Sequence, residues 1–109
     1  KVAGAKLVMV LGHEHCGAVK SAIDDVKLGN ITALLTKIKP AILKSQDFTG
    51  EKTSKNEAFV KHVCENNVRN TIEQIRAKSP ILKEMETKGQ IKIVGAYFDL
   101  SDSSLEFVQ

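Results

Sequence analysis

Leu7-Val8-Met9-Val10-Leu11-Gly12-His13-Glu14-His15-Cys16-Gly17-Ala18-Val19 is the stretch whose reading decides the fold. It runs apolar from Leu7 to Leu11, breaks at a glycine, presents two imidazoles and a thiol, then begins an amphipathic pattern. A buried strand, a tight turn and a helix read this way. Gly12 is expected to make the turn, since glycine takes backbone angles closed to other residues. Cys16 is expected at the first turn of the helix, where free N–H groups and the helix dipole favour a thiolate. Gly17 leaves its own N–H open to a small anion, with no side chain in the way.

Imidazole nitrogen and thiolate sulfur are the donors zinc prefers, usually four of them in a tetrahedron. His13 and Cys16, two residues apart, can converge on one ion from a single turn. Two ligands are still too few for a closed zinc site. The spacing alone leaves two other readings open. One is a polar strand-end turn with a partly buried thiol that packs as a small hydrophobe. The other is an anion held at the helix N-terminus.

Outward from that stretch, Val19, Ala22, Ile23 and Val26 follow helical spacing, and Leu28-Gly29-Asn30 ends the helix. Ile31, Leu34, Leu35, Ile38, Ile42 and Leu43 continue the period, but Pro40 should split this segment into two short helices. Residues 45–54 are polar, contain Gly50, and read as an exposed loop. The longest helix is predicted from about Lys55 to Lys78, with Phe59, Val60, Val63, Cys64, Val68, Ile72 and Ile75 as its apolar stripe.

Cys64 within that stripe reads as a core thiol. His62 and the run Asn66-Asn67 with Arg69-Asn70 read as solvated surface. Ser79-Pro80 restarts a short helix that Gly89 caps. Ile91 to Asp99 is a strand rich in β-branched and aromatic residues, and Leu105 to Val108 pairs back as a short antiparallel edge. Lys1 to Lys6 reads as the end of a helix or connector. Asp99 reads as a turn-forming aspartate rather than a ligand.

The whole is an α/β arrangement: a parallel sheet flanked by helices, with a short antiparallel edge strand. With 109 residues it is one domain at most, residues 1–109. The net charge of +3 is spread along the chain and aromatics are 5%, so nucleic-acid binding by a basic stacking surface is not expected. No apolar run approaches the ~20 residues of a membrane helix. Two cysteines, at 16 and 64, without a signal-like segment point to a reducing, cytoplasmic compartment and not to a disulfide scaffold.

The run Val10-Leu11-Gly12-His13-Glu14-His15-Cys16-Gly17-Ala18-Val19 resembles the second zinc-ligand segment of the β-class carbonic anhydrases, Gly-His-x-x-Cys-Gly-[Ala/Gly]-Val. Leu28 to Ile31, Asn67-Val68, Ser79 to Leu82 and Gly89 through Asp99 fall in the order that family shows, so the resemblance covers essentially the whole chain. It implies one zinc ion per subunit, His13 and Cys16 as two of three protein ligands, and Gly17 N–H on a substrate oxygen. It also implies reversible hydration of carbon dioxide to bicarbonate and a proton, in a homodimer or higher homo-oligomer. The family's upstream Cys-x-Asp-x-Arg segment, source of the third ligand, is absent here. The chain is therefore read as the C-terminal portion of such a domain. The alternatives are an inactive or accessory module that binds an anion or a partner without catalysis, and a thiol-based protein using Cys16.

Overall fold

The computed structural model describes residues 6–27 and 29–108. Strand β1 (Lys6–His13) pairs in parallel with β2 (Ile91–Asp99), from Lys6 opposite Ile91 to His13 opposite Phe98. Strand β3 (Ser104–Val108) returns antiparallel on the other side of β2, Gly95 facing Val108 and Asp99 facing Ser104. The order is β1-β2-β3, with the parallel strand and the antiparallel edge both where the residue pattern placed them. Between β1 and β2 run α1 (Gly17–Ile23), α2 (Ile31–Thr36), α3 (Lys39–Leu43), α4 (Glu57–Lys78) and α5 (Pro80–Thr87).

Helix α4 is the support on which the sheet lies. Its Val68 and Ile72 pack with Ile91 and Ile93 of β2, with Val8 and Val10 of β1 against them. Its Phe59, Val60, Val63 and Cys64 join Val19 and Ala22 of α1, Leu35, Ile38, Ala41 and Tyr97 in the larger core. Asn56 caps α4 by accepting a hydrogen bond from the Ala58 N–H at 3.2 Å. Asn56→Ala should therefore lower stability by about 1 kcal/mol in denaturant titration. No helix among the described residues is long and apolar enough to cross a membrane.

Several local expectations change. The strand does not break at Gly12 but continues through it to His13, and Lys6 belongs to the strand instead of a connector; residues 1–5 and 28 lie outside the described residues. Helix α1 ends at Ile23, so Val26 falls beyond it and is partly exposed. Pro40 does split its segment, sitting in the first turn of α3, where a missing N–H costs nothing. Ser45, at the head of the loop, is wholly buried: its Oγ donates to Ala41 O and accepts from Asn66 Nδ2, both at 2.7 Å. Asn66 Oδ1 in turn accepts from Arg69 Nη1 at 2.9 Å. The polar run of α4 is thus an internal brace for the loop, and not plain solvated surface. His62 is likewise partly sheltered, its ring 5.4 Å from that of Phe48 and its Nε2 3.5 Å from Asp47 Oδ1.

One face of the sheet stays open. Val8 and Val10 meet α4, and the alternate residues Leu7, Met9 and Leu11 point the other way, 57%, 36% and 54% exposed. Leu105 and Phe107 of β3 are exposed as well. So large an uncovered apolar set is unusual for an isolated domain.

Candidate metal centre

The candidate residues all sit where β1 ends and α1 begins, at the C-terminal edge of the parallel pair, the end at which open α/β sheets bind ligands. Register sets the place: His13 lies opposite Phe98, and the next N–H, of Glu14, donates to Phe98 O at 2.9 Å. The chain then reverses at His15, whose φ of 58° lies in the left-handed region. Such a backbone costs a non-glycine residue roughly 1–2 kcal/mol. Glu57, from the first turn of α4, approaches His15 Nδ1 at 3.3 Å and Lys20 Nζ at 3.1 Å. Lys20 in turn holds the Glu57 carboxyl below the usual range, first by its hydrogen bond.

Gly12 has another duty than the one expected of it. A Cβ built there would lie 2.6 Å from Cys64 Sγ and 3.1 Å from a Val68 methyl. The glycine is needed because α4 passes directly over the strand. The turn is made by His15.

His13 Nδ1 is 2.9 Å from Glu14 O. A carbonyl oxygen only accepts, so Nδ1 carries the proton and the lone pair of neutral His13 lies on Nε2. That is the arrangement of a metal-ligating histidine fixed by its second nitrogen. Cys16 occupies the N-cap of α1 with an extended backbone and no cap hydrogen bond from its side chain, which leaves the sulfur available. Its carbonyl accepts from Lys20 N at 3.1 Å. A Cβ on Gly17 would meet nothing within 4 Å, so the room beside this N–H is open.

The remaining polar groups brace the turn. Glu14 Oε1 accepts from Ser101 N at 3.1 Å, tying β1 to the turn after β2. Asp99 Oδ1 accepts from both Ser101 N (2.9 Å) and Ser101 Oγ (2.6 Å), and these bonds hold its carboxyl below the usual range. It is the turn residue that the sequence suggested. Neither Glu57 nor Ser101 was legible as part of this region, because their contacts span 42 and 87 positions, from His15 to Glu57 and from Glu14 to Ser101.

Cys64 is a core thiol, 4% exposed, lying under Gly12 on the helix side of the strand, its Sγ 4.0 Å from His13 O. Burial, with a smaller push from nearby Cys16, raises it to about 11. Its contribution to stability is full below the ordinary thiol value of 9.0 and is lost as pH rises toward about 11. In metal-free folded protein the partly exposed Cys16 should react with a thiol reagent far faster than buried Cys64, by about a hundredfold. Equal rates would mean that Cys64 is open to solvent. Among the described residues no three His, Cys, Asp or Glu side chains converge to hold a metal ion. His13 and Cys16 are zinc-type donors and fit part of such a set.

Comparison with known proteins bears on the family and the fold. A family model described as carbonic anhydrase matches residues 1–105. A carbonic anhydrase of Mycolicibacterium smegmatis is 31% identical over 105 residues, 92% of this chain and 48% of that protein. The β-carbonic anhydrase CafA of Aspergillus fumigatus superposes with a TM-score of 0.76 at 22% identity, covering 95% of this chain and 49% of that one. A tetrameric β-carbonic anhydrase of Sordaria macrospora gives 0.77 at 19% identity, covering 94% and 52%. The chain thus spans about half the length of the relatives it matches. With its strand–turn–helix motif, its sheet order and a family match over nearly every residue, the chain belongs to the carbonic anhydrase family and has the β-class fold.

Proposed function

We propose that the protein containing this chain hydrates carbon dioxide reversibly to bicarbonate and a proton, with one zinc ion per subunit held in part by His13 Nε2 and Cys16 Sγ. The observation that carries this reading is the His13 Nδ1 contact to Glu14 O, which orients the ring and leaves Nε2 as the free donor beside an uncapped thiol. Zinc, when bound, supplies a Lewis acid that makes water a nucleophile near neutral pH. The chain's own residues do the rest. Glu14 and its Ser101 bond fix the turn, and Gly17 offers its N–H, with open space beside it, to an oxygen of the substrate or product.

The third protein ligand comes from chain outside these 109 residues, and residues 1–109 are one part of a domain. The open face bearing Leu7, Met9 and Leu11 is where that remainder, or a second subunit of a homo-oligomer, packs. Two free cysteines, one of them a ligand, suit a reducing, cytoplasmic setting.

Cys16→Ser in the whole protein tests the reading, with hydration followed by stopped-flow pH indicator. The variant should lose nearly all activity while keeping its fold. Hydration at the wild-type rate would refute the proposed role. A second reading, a module that binds an anion or partner without turnover, draws on the absence of a converging third donor among the described residues. It predicts no hydration by the wild type either.

A further inference from the structure

The two proposed zinc donors of this chain sit on different supports. His13 ends β1, which β2 holds in register as far as Phe98. Cys16 heads α1, whose Val19 and Ala22 share one core with Phe59, Val60 and Val63 of α4. Only Glu14 and His15 join the strand to the helix, so their backbone sets how the two donors face each other. Glu14 is tied to the strand side, its N–H to Phe98 O and its Oε1 to Ser101 N. His15 is the joint, and its φ of 58° is the costly part.

A strained residue persists only where its surroundings hold it there. Glycine would take this conformation freely, but the chain has an imidazole at this position, and that imidazole meets α4. His15 Nδ1 lies 3.3 Å from Glu57 Oε1, and the other oxygen of the same carboxyl lies 3.1 Å from Lys20 Nζ. Lys20 stands one helical turn beyond Cys16, and its N–H donates to Cys16 O at 3.1 Å. Glu57, in the first turn of the 22-residue α4, thus holds the residue before the thiol and the helical turn after it. The segment that carries Cys16 is gripped at both ends.

We propose that Glu57 is a positioning residue for the metal centre: through His15 and Lys20 it holds the left-handed turn, and so the direction in which Cys16 Sγ is presented beside His13 Nε2. The inference rests on the zinc reading given above. Its action passes through the backbone of His15 and not through contact with the metal. The side chains of His15 and Glu57 are 53% and 51% exposed, so the effect is modest in size. As an acid in the first turn of α4, Glu57 also favours the positive end of the helix dipole. That duty does not involve His15, which makes the two separable.

The test is a double-mutant cycle in the whole protein, with His15→Gly as the second change. Zinc-loaded protein is mixed with an excess of a chromogenic chelator, and the rate of zinc transfer is followed. Cobalt-substituted samples report the thiolate-to-metal absorption band, which a loss of helix stability alone would not move. Glu57→Ala is expected to speed zinc loss about fivefold and to shift that band. In the His15→Gly background the turn needs no holding, so Glu57→Ala should change neither readout. The dipole contribution is the same in both backgrounds and cancels. Equal acceleration in both backgrounds, no acceleration in either, or slower zinc loss would overturn the proposal while leaving the zinc reading intact. A wild type that carries no zinc would overturn that reading and this inference with it.

Discussion

His13→Ala is expected to strip zinc from the whole protein, from about one ion per subunit to near zero, and hydration should fall with it. Donor number decides this outcome. The turn carries three zinc-type donors, but His15 is turned to Glu57 at 3.3 Å, so without His13 only Cys16 is left in the proposed ligand set. An outside ligand and one thiolate hold zinc too weakly to survive dialysis. The imidazole is exposed at the end of β1 and its one hydrogen bond is to the neighbouring carbonyl, so its loss should shift stability by no more than about 0.5 kcal/mol. Metal analysis with a denaturation midpoint separates the two effects. Unchanged zinc content would remove His13 from the ligand set.

Gly12→Ala should damage both stability and site. Its new methyl would sit 2.6 Å from Cys64 Sγ and 3.1 Å from Val68, and neither neighbour is the free end of a flexible chain. Forced overpacking of this kind costs about 1–3 kcal/mol. Because the adjacent residue is His13, relief by moving β1 also moves the ligand, and zinc retention should drop. Cys64→Ala removes the obstructing sulfur. The double variant should therefore be less destabilised than the sum of the two single changes, by about 0.5 kcal/mol or more. Strict additivity would show that the glycine is not there for the helix.

These two residues also show what the sequence could and could not disclose. The placement of His13 and Cys16 on one turn was legible because their relation is local, framed by an apolar strand and an amphipathic helix. The parallel pairing of Leu7–Leu11 with Ile91–Asp99 was legible from β-branched runs separated by helical periods. Gly12 was legible as necessary but for the wrong reason. A glycine at the end of a strand suggests a turn, and only the approach of α4, some fifty positions later, reveals the steric need. Ser45, Asn66 and Arg69 were misread for a related reason. Polar residues look solvated until a distant hydroxyl is found opposite them, here Ser45 Oγ against Asn66 Nδ2. Glu14 and Ser101 are a further instance, joined only because β1 and β2 end side by side.

On the proposed reading, this chain supplies only part of the centre. The motif offers His13 and Cys16 as proposed ligands, and among the described residues no three His, Cys, Asp or Glu side chains converge. The open sheet face beside it, with Leu7, Met9 and Leu11 uncovered, is where we propose that the remainder or a second subunit packs.

The most direct test of the account is native mass spectrometry of the whole purified protein with zinc quantitation, before and after Cys16→Ser. About one tightly held zinc per subunit in the wild type, lost in the variant, is the predicted result. A wild type that carries no zinc, or a variant that retains it, would contradict the assignment of this turn as a zinc site.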